Sequence, residues 1–331
     1  MRKLKVLVTH KINIFTELSS KYPELDINCL ENIEELEKRT DKDEIMGIVT
    51  ILSDKVDETF LDELRNLRVI SNYAVGFNNI DIKSANLRGI KVGNTPNTLT
   101  HSTAELAMTL LLTLARKTLH LQEQVWLGEW KRWEWERFNG VDLRNKCIGI
   151  IGFGRIGQTF ARMAHQVWNS EIIVWNGRWQ KDHHDKEILN FPYKRVSEEE
   201  FFLKSQIVSL HCPLTEFSKG LINDDFINKM KNKFFFINTA RGECHNEDSL
   251  LRGLEAQKIL GIGLDVTNPE PMAKTSPLLS KKFRDKVAIL PHIGSATDQT
   301  RKEMAIQCLE NIRAGLKGEK LPYEVVLDFD S

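Results

Sequence analysis

The chain has 331 residues, too many for one ordinary hydrophobic core and suited to two domains. Hydrophobic residues make up 41% and charged residues 28%, the balance of a soluble globular protein. Lys plus Arg equals Asp plus Glu at 46 each, so no bulk field exists to hold nucleic acid or an anionic membrane surface.

Cys29, Cys147, Cys212, Cys244 and Cys308 are scattered, with no CxxC pair, which argues for a reducing compartment over a disulfide framework. Near the N-terminus the apolar run Val6–Val8 is too short for a signal peptide. The longest apolar stretch, Ala107–Ala115, falls short of a membrane span. Phe329-Asp330-Ser331 is not a peroxisomal address, and a cytoplasmic protein is the expectation.

In chain order, Leu4–Thr9, Gly47–Leu52, Val69–Val75 and Lys91–Asn94 read as strands, with helical patterns at Ile33–Lys38 and Glu58–Asn66. A long helix is expected from Ser102 or Thr103, as its cap, with Glu105 in the first turn, to about Leu119. A second strand series follows at Cys147–Ile151, Glu171–Trp175, Gln206–Leu210, Phe234–Asn238, Gly261–Val266 and Val287–Leu290. Helical patterns lie between them, notably Arg155–Trp168 and Asp248–Ile259, and a last helix, Asp298–Leu316, leads into an extended tail. Alternating β and α segments of this kind predict α/β architecture: two doubly wound parallel-sheet domains, Rossmann- or flavodoxin-like, facing a shared cleft.

Cys147–Ile151 runs into Gly152-Phe153-Gly154-Arg155-Ile156-Gly157 and then an amphipathic helix. Gly152 permits the tight turn, Gly154 lets the backbone approach a pyrophosphate, and Gly157 lets helix and strand pack closely. The helix N-terminus offers N–H groups to the phosphates, so a dinucleotide is expected here. An acid about 20 residues further on would bind the adenosine ribose hydroxyls and repel a 2′-phosphate. Here Asn176-Gly177-Arg178 stands at that place with Lys181 behind it. Arg178 suits a bidentate grip on a phosphate and Gly177 gives the backbone room, so NADP(H) is preferred and NAD(H) is the alternative.

Arg241, Glu270 and His292 each follow a predicted strand, where ligands bind in such sheets. Reducing a 2-oxo acid needs a cation for carboxylate and carbonyl oxygen, a proton donor for the developing alkoxide, and a partner keeping that donor charged. Arginine, histidine and glutamate supply these in turn. Each alone has an ordinary structural explanation; their joint placement is what points to chemistry.

These residues sit in segments that resemble the D-2-hydroxyacid dehydrogenases over nearly the whole chain, and within them the glyoxylate/hydroxypyruvate reductase branch. The matching stretches are Asn72–Asp81, Asn94-Thr95-Pro96 with Thr103–Leu106, the glycine loop, Leu210–Thr215, Asn238–Gly242, Gly263–Val266 with Asn268–Pro271, and Leu290–Thr297. The resemblance implies that His292 is the acid/base, Glu270 its partner and Arg241 a substrate ligand. It further implies that Val75 and Gly76 N–H groups take the substrate carboxylate with Leu52 nearby. Thr103, Cys212, Pro213, Thr239, Ala240, Asp265 and Gly294 would line the cofactor. It makes the substrate domain discontinuous, 1–98 and 294–331, around a dinucleotide domain of 99–293, with hinges near Asn97 and Ile293, and implies a homodimer.

Two departures from the family pattern stand out. Glu134-Trp135-Glu136-Arg137-Phe138 replaces the Leu-Trp that often precedes the cofactor domain, and Trp126, Trp130, Trp133 and Trp135 are expected to pack in the core or a dimer interface. Cys244-His245 replaces a pair that is usually apolar. With His211-Cys212 it raises a metal site, but neighbours on a strand point to opposite faces and no metal is expected. Rival readings are an NADH-linked phosphoglycerate-type reductase and a nucleotide-sensing corepressor on the same scaffold. No regulatory domain supports the first and no disordered tail the second. A formate-type enzyme would carry an amide where Glu270 stands.

Overall fold

The structure is a computed structural model that describes residues 3–175 and 190–326. Asn176, Gly177, Arg178 and Lys181 lie outside the described residues. The chain divides into two compact units, Met1–Leu99 with Ala296–Ser331, and Thr100–Ser295.

The first unit holds five parallel strands: β1 (Leu4–Val8), β2 (Leu25–Cys29), β3 (Ile45–Thr50), β4 (Val69–Asn72) and β5 (Lys91–Gly93). Their order is β2-β1-β3-β4-β5, the flavodoxin-like winding. Leu7, Ile45, Ile48, Ile70 and Val92 bury one face against Leu36, Leu61 and Leu64. The final helix, Asp298–Leu316, packs on β3 and β4. Its Asn311 donates to Ser71 Oγ (3.1 Å) and the Asn94 carbonyl (3.0 Å), and accepts the Tyr323 N–H at 3.0 Å. The extended tail then runs along β5, where Val325 N–H donates to the Val92 carbonyl at 2.8 Å.

The second unit holds seven parallel strands: β6 (Cys147–Ile151), β7 (Glu171–Val174), β8 (Lys194–Arg195), β9 (Ile207–Leu210), β10 (Phe234–Asn238), β11 (Ile259–Leu264) and β12 (Val287–Ile289). Their order, β12-β11-β10-β9-β6-β7-β8, is the Rossmann winding extended by one strand, with its reversal between β6 and β9. β10 shows why the sheet is buried on both faces. Phe234 and Phe236 join a cluster with Phe201, Phe226 and Leu254, while Phe235 and Ile237 join one with Leu110, Ala107 and Phe160. Successive side chains alternate faces, so a continuous apolar run serves two layers.

The structure corrects several boundaries. The long helix is Thr100–Arg116, so Ser102 and Thr103 are inside it and buried, not caps; the Thr103 hydroxyl donates instead to the Gly294 carbonyl at 3.2 Å. Lys117 then takes a left-handed conformation (φ 54°) and a second helix, Thr118–Trp126, begins. The helix expected over 248–259 is Glu247–Glu255, ended by Gln257 at φ 55° before β11 starts at Ile259. Trp126, Trp130, Trp133 and Trp135 are 81%, 61%, 73% and 76% exposed, which rules out core packing within the chain. Among the described residues no helix is long and apolar enough to cross a membrane.

Candidate active site

All strands of the second sheet run the same way, so the loops after β6, β9, β10, β11 and β12 share one edge. Gly152–Gly157, Cys212 and Pro213, Thr239–Arg241, Asp265–Glu270 and His292–Gly294 are those loops. The first sheet presents Leu52 after β3 and Val75 and Gly76 after β4 on its own corresponding edge.

Gly152 turns at φ 96°, and a Cβ there would lie 2.3 Å from the Cys212 nitrogen and 2.4 Å from the His211 carbonyl carbon. The tight crossing at the β6/β9 reversal therefore admits only glycine. A Cβ on Gly157 would lie 2.2 Å from the Gly152 carbonyl oxygen, so helix and loop are in contact. Gly154 caps the Arg155–Trp168 helix, and a Cβ there would stand in open space. The first intrahelical bond, Gln158 N–H to the Gly154 carbonyl at 2.9 Å, leaves the N–H groups of Ile156 and Gly157 ahead of the ladder. This is a cradle of backbone donors with room for a pyrophosphate, and the residues fit a dinucleotide. Cys212, against Gly152, and Ala240, after β10, are buried, Pro213 is exposed, and Thr239 Oγ1 is buried with no partner among the described residues.

His292 Nδ1 and Glu270 Oε1 are 2.6 Å apart, with side chains 28% and 42% exposed. Burial pushes the Glu270 carboxyl upward. The hydrogen bond and charge of His292, the Thr267 N–H and the charge of Arg241 outweigh it, so the pKa lies below the usual glutamate value. His292 adopts φ 55°. The turn around it is clamped by Asp265, whose two carboxylate oxygens accept the N–H groups of Ile293 (2.7 Å) and Gly294 (2.8 Å). Burial raises the Asp265 pKa against the pull of those two bonds.

Arg241 is held by Asn238, whose Nδ2 donates to the Arg241 carbonyl at 2.8 Å while its Oδ1 accepts the Ala240 N–H at 2.9 Å. The guanidinium Nη1 donates to the Ala240 carbonyl at 2.6 Å. Burial lowers the guanidinium pKa, with Glu243, Cys244 and Glu270 opposing it; an arginine so perturbed stays charged near neutrality. Gly242 packs on the neighbouring loop: a Cβ there would fall 2.0 Å from the Thr267 carbonyl oxygen. The Arg241 and Glu270 loops are thus in backbone contact.

In the first unit, Asn79 Nδ2 donates to the carbonyls of Ile51 and Asp54, both at 3.0 Å, and Asn72 Nδ2 donates to the Gly76 carbonyl at 2.8 Å. These bonds bring the Leu52 turn alongside the Val75-Gly76 loop. The N–H groups of Val75 and Gly76 have no acceptor among the described residues. Asn79 and Asn238 lie within the motif stretches Asn72–Asp81 and Asn238–Gly242, but the sequence assigned neither a role.

Of the four residues weighed as metal ligands, Cys212 and Cys244 meet through a thiol hydrogen bond, while the two histidines turn to other partners. His245 Nδ1 meets Asn238, and His211 Nε2 meets Ser209 Oγ at 2.9 Å. Burial pushes the His211 imidazole down to about 3. Among the described residues no group of three or more His, Cys, Asp or Glu is arranged to hold a metal. A cavity of about 470 Å³ on this unit, lined by Leu112, Arg116, Leu143, Arg144 and Trp168 among others, contains none of the predicted site residues.

Residues 108–294 match the family profile of the D-isomer specific 2-hydroxyacid dehydrogenase NAD binding domain. The chain is similar to a glyoxylate reductase/hydroxypyruvate reductase of Homo sapiens, 41% identical over 282 residues, or 85% of this chain and 84% of that protein. It is also similar to a glyoxylate reductase of Pyrococcus furiosus, 37% identical over 97% of this chain and 94% of that protein. Among solved structures it resembles the NADPH-dependent glyoxylate/hydroxypyruvate reductase of Sinorhizobium meliloti in complex with NADP and malonate. The TM-score is 0.83 and identity 26%, covering 98% of this chain and 97% of that one.

Proposed function

The chain belongs to the D-isomer-specific 2-hydroxyacid dehydrogenases, and on that premise we propose that it reduces glyoxylate to glycolate and hydroxypyruvate to D-glycerate, with NADPH preferred. The observation that carries the reading is the 2.6 Å His292–Glu270 pair on the same sheet edge as Arg241 and the glycine cradle. A nicotinamide held by the glycine cradle would supply the hydride for the carbonyl carbon. His292 gives its proton to the carbonyl oxygen, and Glu270, ionised well below neutrality, stabilises the charged imidazole until then. In the second unit Arg241 would hold the carboxylate and polarise the carbonyl, and in the first the Val75 and Gly76 N–H groups and Leu52 are the proposed substrate contacts. Gly152, Gly154, Arg155, Ile156 and Gly157 hold the pyrophosphate. Thr103, Thr239, Asp265 and Gly294 shape the nicotinamide end.

The NADPH preference is supported by Asn176-Gly177-Arg178 where an acid would favour NADH. Arg178→Ala is expected to weaken NADPH far more than NADH; equal losses would return Arg178 to a solvated side chain. The reaction is tested by comparing rates for the two acids with each of the two cofactors. If neither acid oxidises NADPH, the substrate assignment is wrong. A homodimer is part of the proposal, because the segment from Leu119 to Trp135 exposes Leu119, Val125, Trp126, Leu127, Trp130, Trp133 and Trp135, more than a monomer usually leaves in contact with water. Light scattering at micromolar concentration checks it. Scattered, free cysteines support a cytoplasmic location.

A further inference from the structure

Asn238 ends β10 and shapes the turn that carries Arg241, and its amide orientation is fixed by its neighbours. The Ala240 N–H needs an acceptor, so the oxygen Oδ1 faces it at 2.9 Å. Nδ2 must then be the atom facing the Arg241 carbonyl at 2.8 Å and His245 Nδ1 at 2.9 Å. An amide nitrogen only donates, so His245 Nδ1 is a bare acceptor and the imidazole carries its hydrogen on Nε2. Both residues are buried, Asn238 at 0% and His245 at 6% exposure. Desolvation pushes the His245 pKa down to about 4, which keeps the ring neutral and the acceptor present at ordinary pH.

The backbone around His245 is pinned from the other side as well. Its N–H donates to the Gly242 carbonyl at 3.1 Å, and Ile222 N–H donates to the Cys244 carbonyl at 3.0 Å. The ring of Phe236 meets the imidazole edge-on at a centroid distance of 6.1 Å. His245 is therefore a fixed post against which the Asn238 amide is held. Gly242, in contact with the Thr267 backbone, carries the consequence onward, because the Thr267 N–H donates to Glu270 Oε2 at 3.4 Å.

We propose that His245 is a positioning residue for the reductase reaction: its Nδ1 completes the hydrogen bonding of Asn238 and so holds the Arg241 turn in the geometry that receives the substrate carboxylate. The proposal rests on the reading of Arg241 as a substrate ligand. Without an acceptor at 245, one Asn238 amide hydrogen is buried unpaired, and the turn relaxes to find a partner.

Two variants separate hydrogen bonding from packing. His245→Leu fills the space and removes the acceptor, whereas His245→Asn leaves a gap but returns an oxygen close to the place of Nδ1. Steady-state kinetics with glyoxylate and hydroxypyruvate, NADPH binding by tryptophan fluorescence, and thermal melts are measured on each full-length variant. The expected result is a KM for the 2-oxo acid raised on the order of ten-fold in His245→Leu, with kcat less affected and NADPH binding unchanged. His245→Asn is expected to recover most of that KM despite a lower melting temperature. A His245→Leu enzyme with native KM, or a His245→Asn enzyme as impaired as His245→Leu, overturns the proposal. If the wild-type protein reduces neither acid, it is the reading of the site that fails. If Arg241→Ala leaves KM unchanged in an active enzyme, the premise about Arg241 fails on its own.

Discussion

Gly242→Ala is the sharpest probe of the coupling between the Arg241 and Glu270 loops. The added methyl would begin 2.0 Å from the Thr267 carbonyl oxygen, 2.2 Å from its carbon and 2.8 Å from the Asn268 nitrogen. All three are backbone atoms, so no side chain can swing away to make room. Reaching even 3.0 Å from the oxygen requires the loops to part by about 1 Å. A misplacement of about 1 Å between reacting groups costs roughly 100-fold in rate, equivalent to about 2.7 kcal/mol. The expected outcome is a fall of that size in kcat/KM for the 2-oxo acid. Overpacking should also remove about 1–3 kcal/mol of stability, read as a lower midpoint in urea. NADPH affinity should stay within a few-fold of wild type, because the glycine cradle follows β6, two strands away from β10. Stopped-flow or steady-state kinetics and a fluorescence titration give the two numbers. A variant with kcat/KM within about three-fold of wild type would refute the claim that this contact sets the site.

Other outcomes follow from the same geometry. Gly152→Ala places a methyl 2.3 Å from the Cys212 nitrogen at a backbone φ of 96°, so cofactor affinity should collapse while circular dichroism still shows a folded chain. Retained NADPH binding would mean that the turn is not the phosphate cradle. Glu270→Gln should lower kcat by about 100-fold, and an unchanged kcat would detach Glu270 from the proton donor. The Glu270 carboxyl has a lowered pKa, so its stabilising pairing is fully present above the ordinary carboxyl range and is lost as pH falls through the lowered value. Urea midpoints measured from about pH 6 down to pH 3 should fall more steeply for wild type than for Glu270→Gln, and parallel curves would count against the pairing.

Much of this architecture was legible because apolar strands alternate with amphipathic helices, and parallel sheets buried on both faces leave long apolar runs. Phe234–Ile237 is the clearest case. What escaped was local and polar. β2, Leu25–Cys29, is an edge strand in which Asp26 and Asn28 interrupt the apolar pattern, and β8 is only two residues, Lys194 and Arg195. The break at Lys117 and the early start of β11 depend on non-glycine residues at positive φ, which propensity disfavours. Candidate site residues with chemical side chains could be proposed from motif and position. The contacts that aim them, the Gly242 carbonyl contact and the Asn238–His245 bond, join residues through space and have no spacing signature. The Cys244-His245 anomaly was visible, but not that the histidine faces the Asn238 amide.

The discontinuity of the first unit has a consequence for synthesis. β1 to β5 leave the ribosome before the second unit, yet the helix that covers β3 and β4, and the Tyr323–Val325 segment that runs along β5, are made after it. Asn311 cannot reach Ser71 or the Asn94 carbonyl until more than 200 intervening residues have been translated, as their sequence separations of 240 and 217 require. At roughly 5–20 residues per second, that is a wait of tens of seconds or less during which the first sheet has one face uncovered. The second unit, contiguous in sequence, can close in that interval. The sheet made before the second unit is thus finished after it, and in that interval it is exposed to chaperones, proteases and its own neighbours on a polysome.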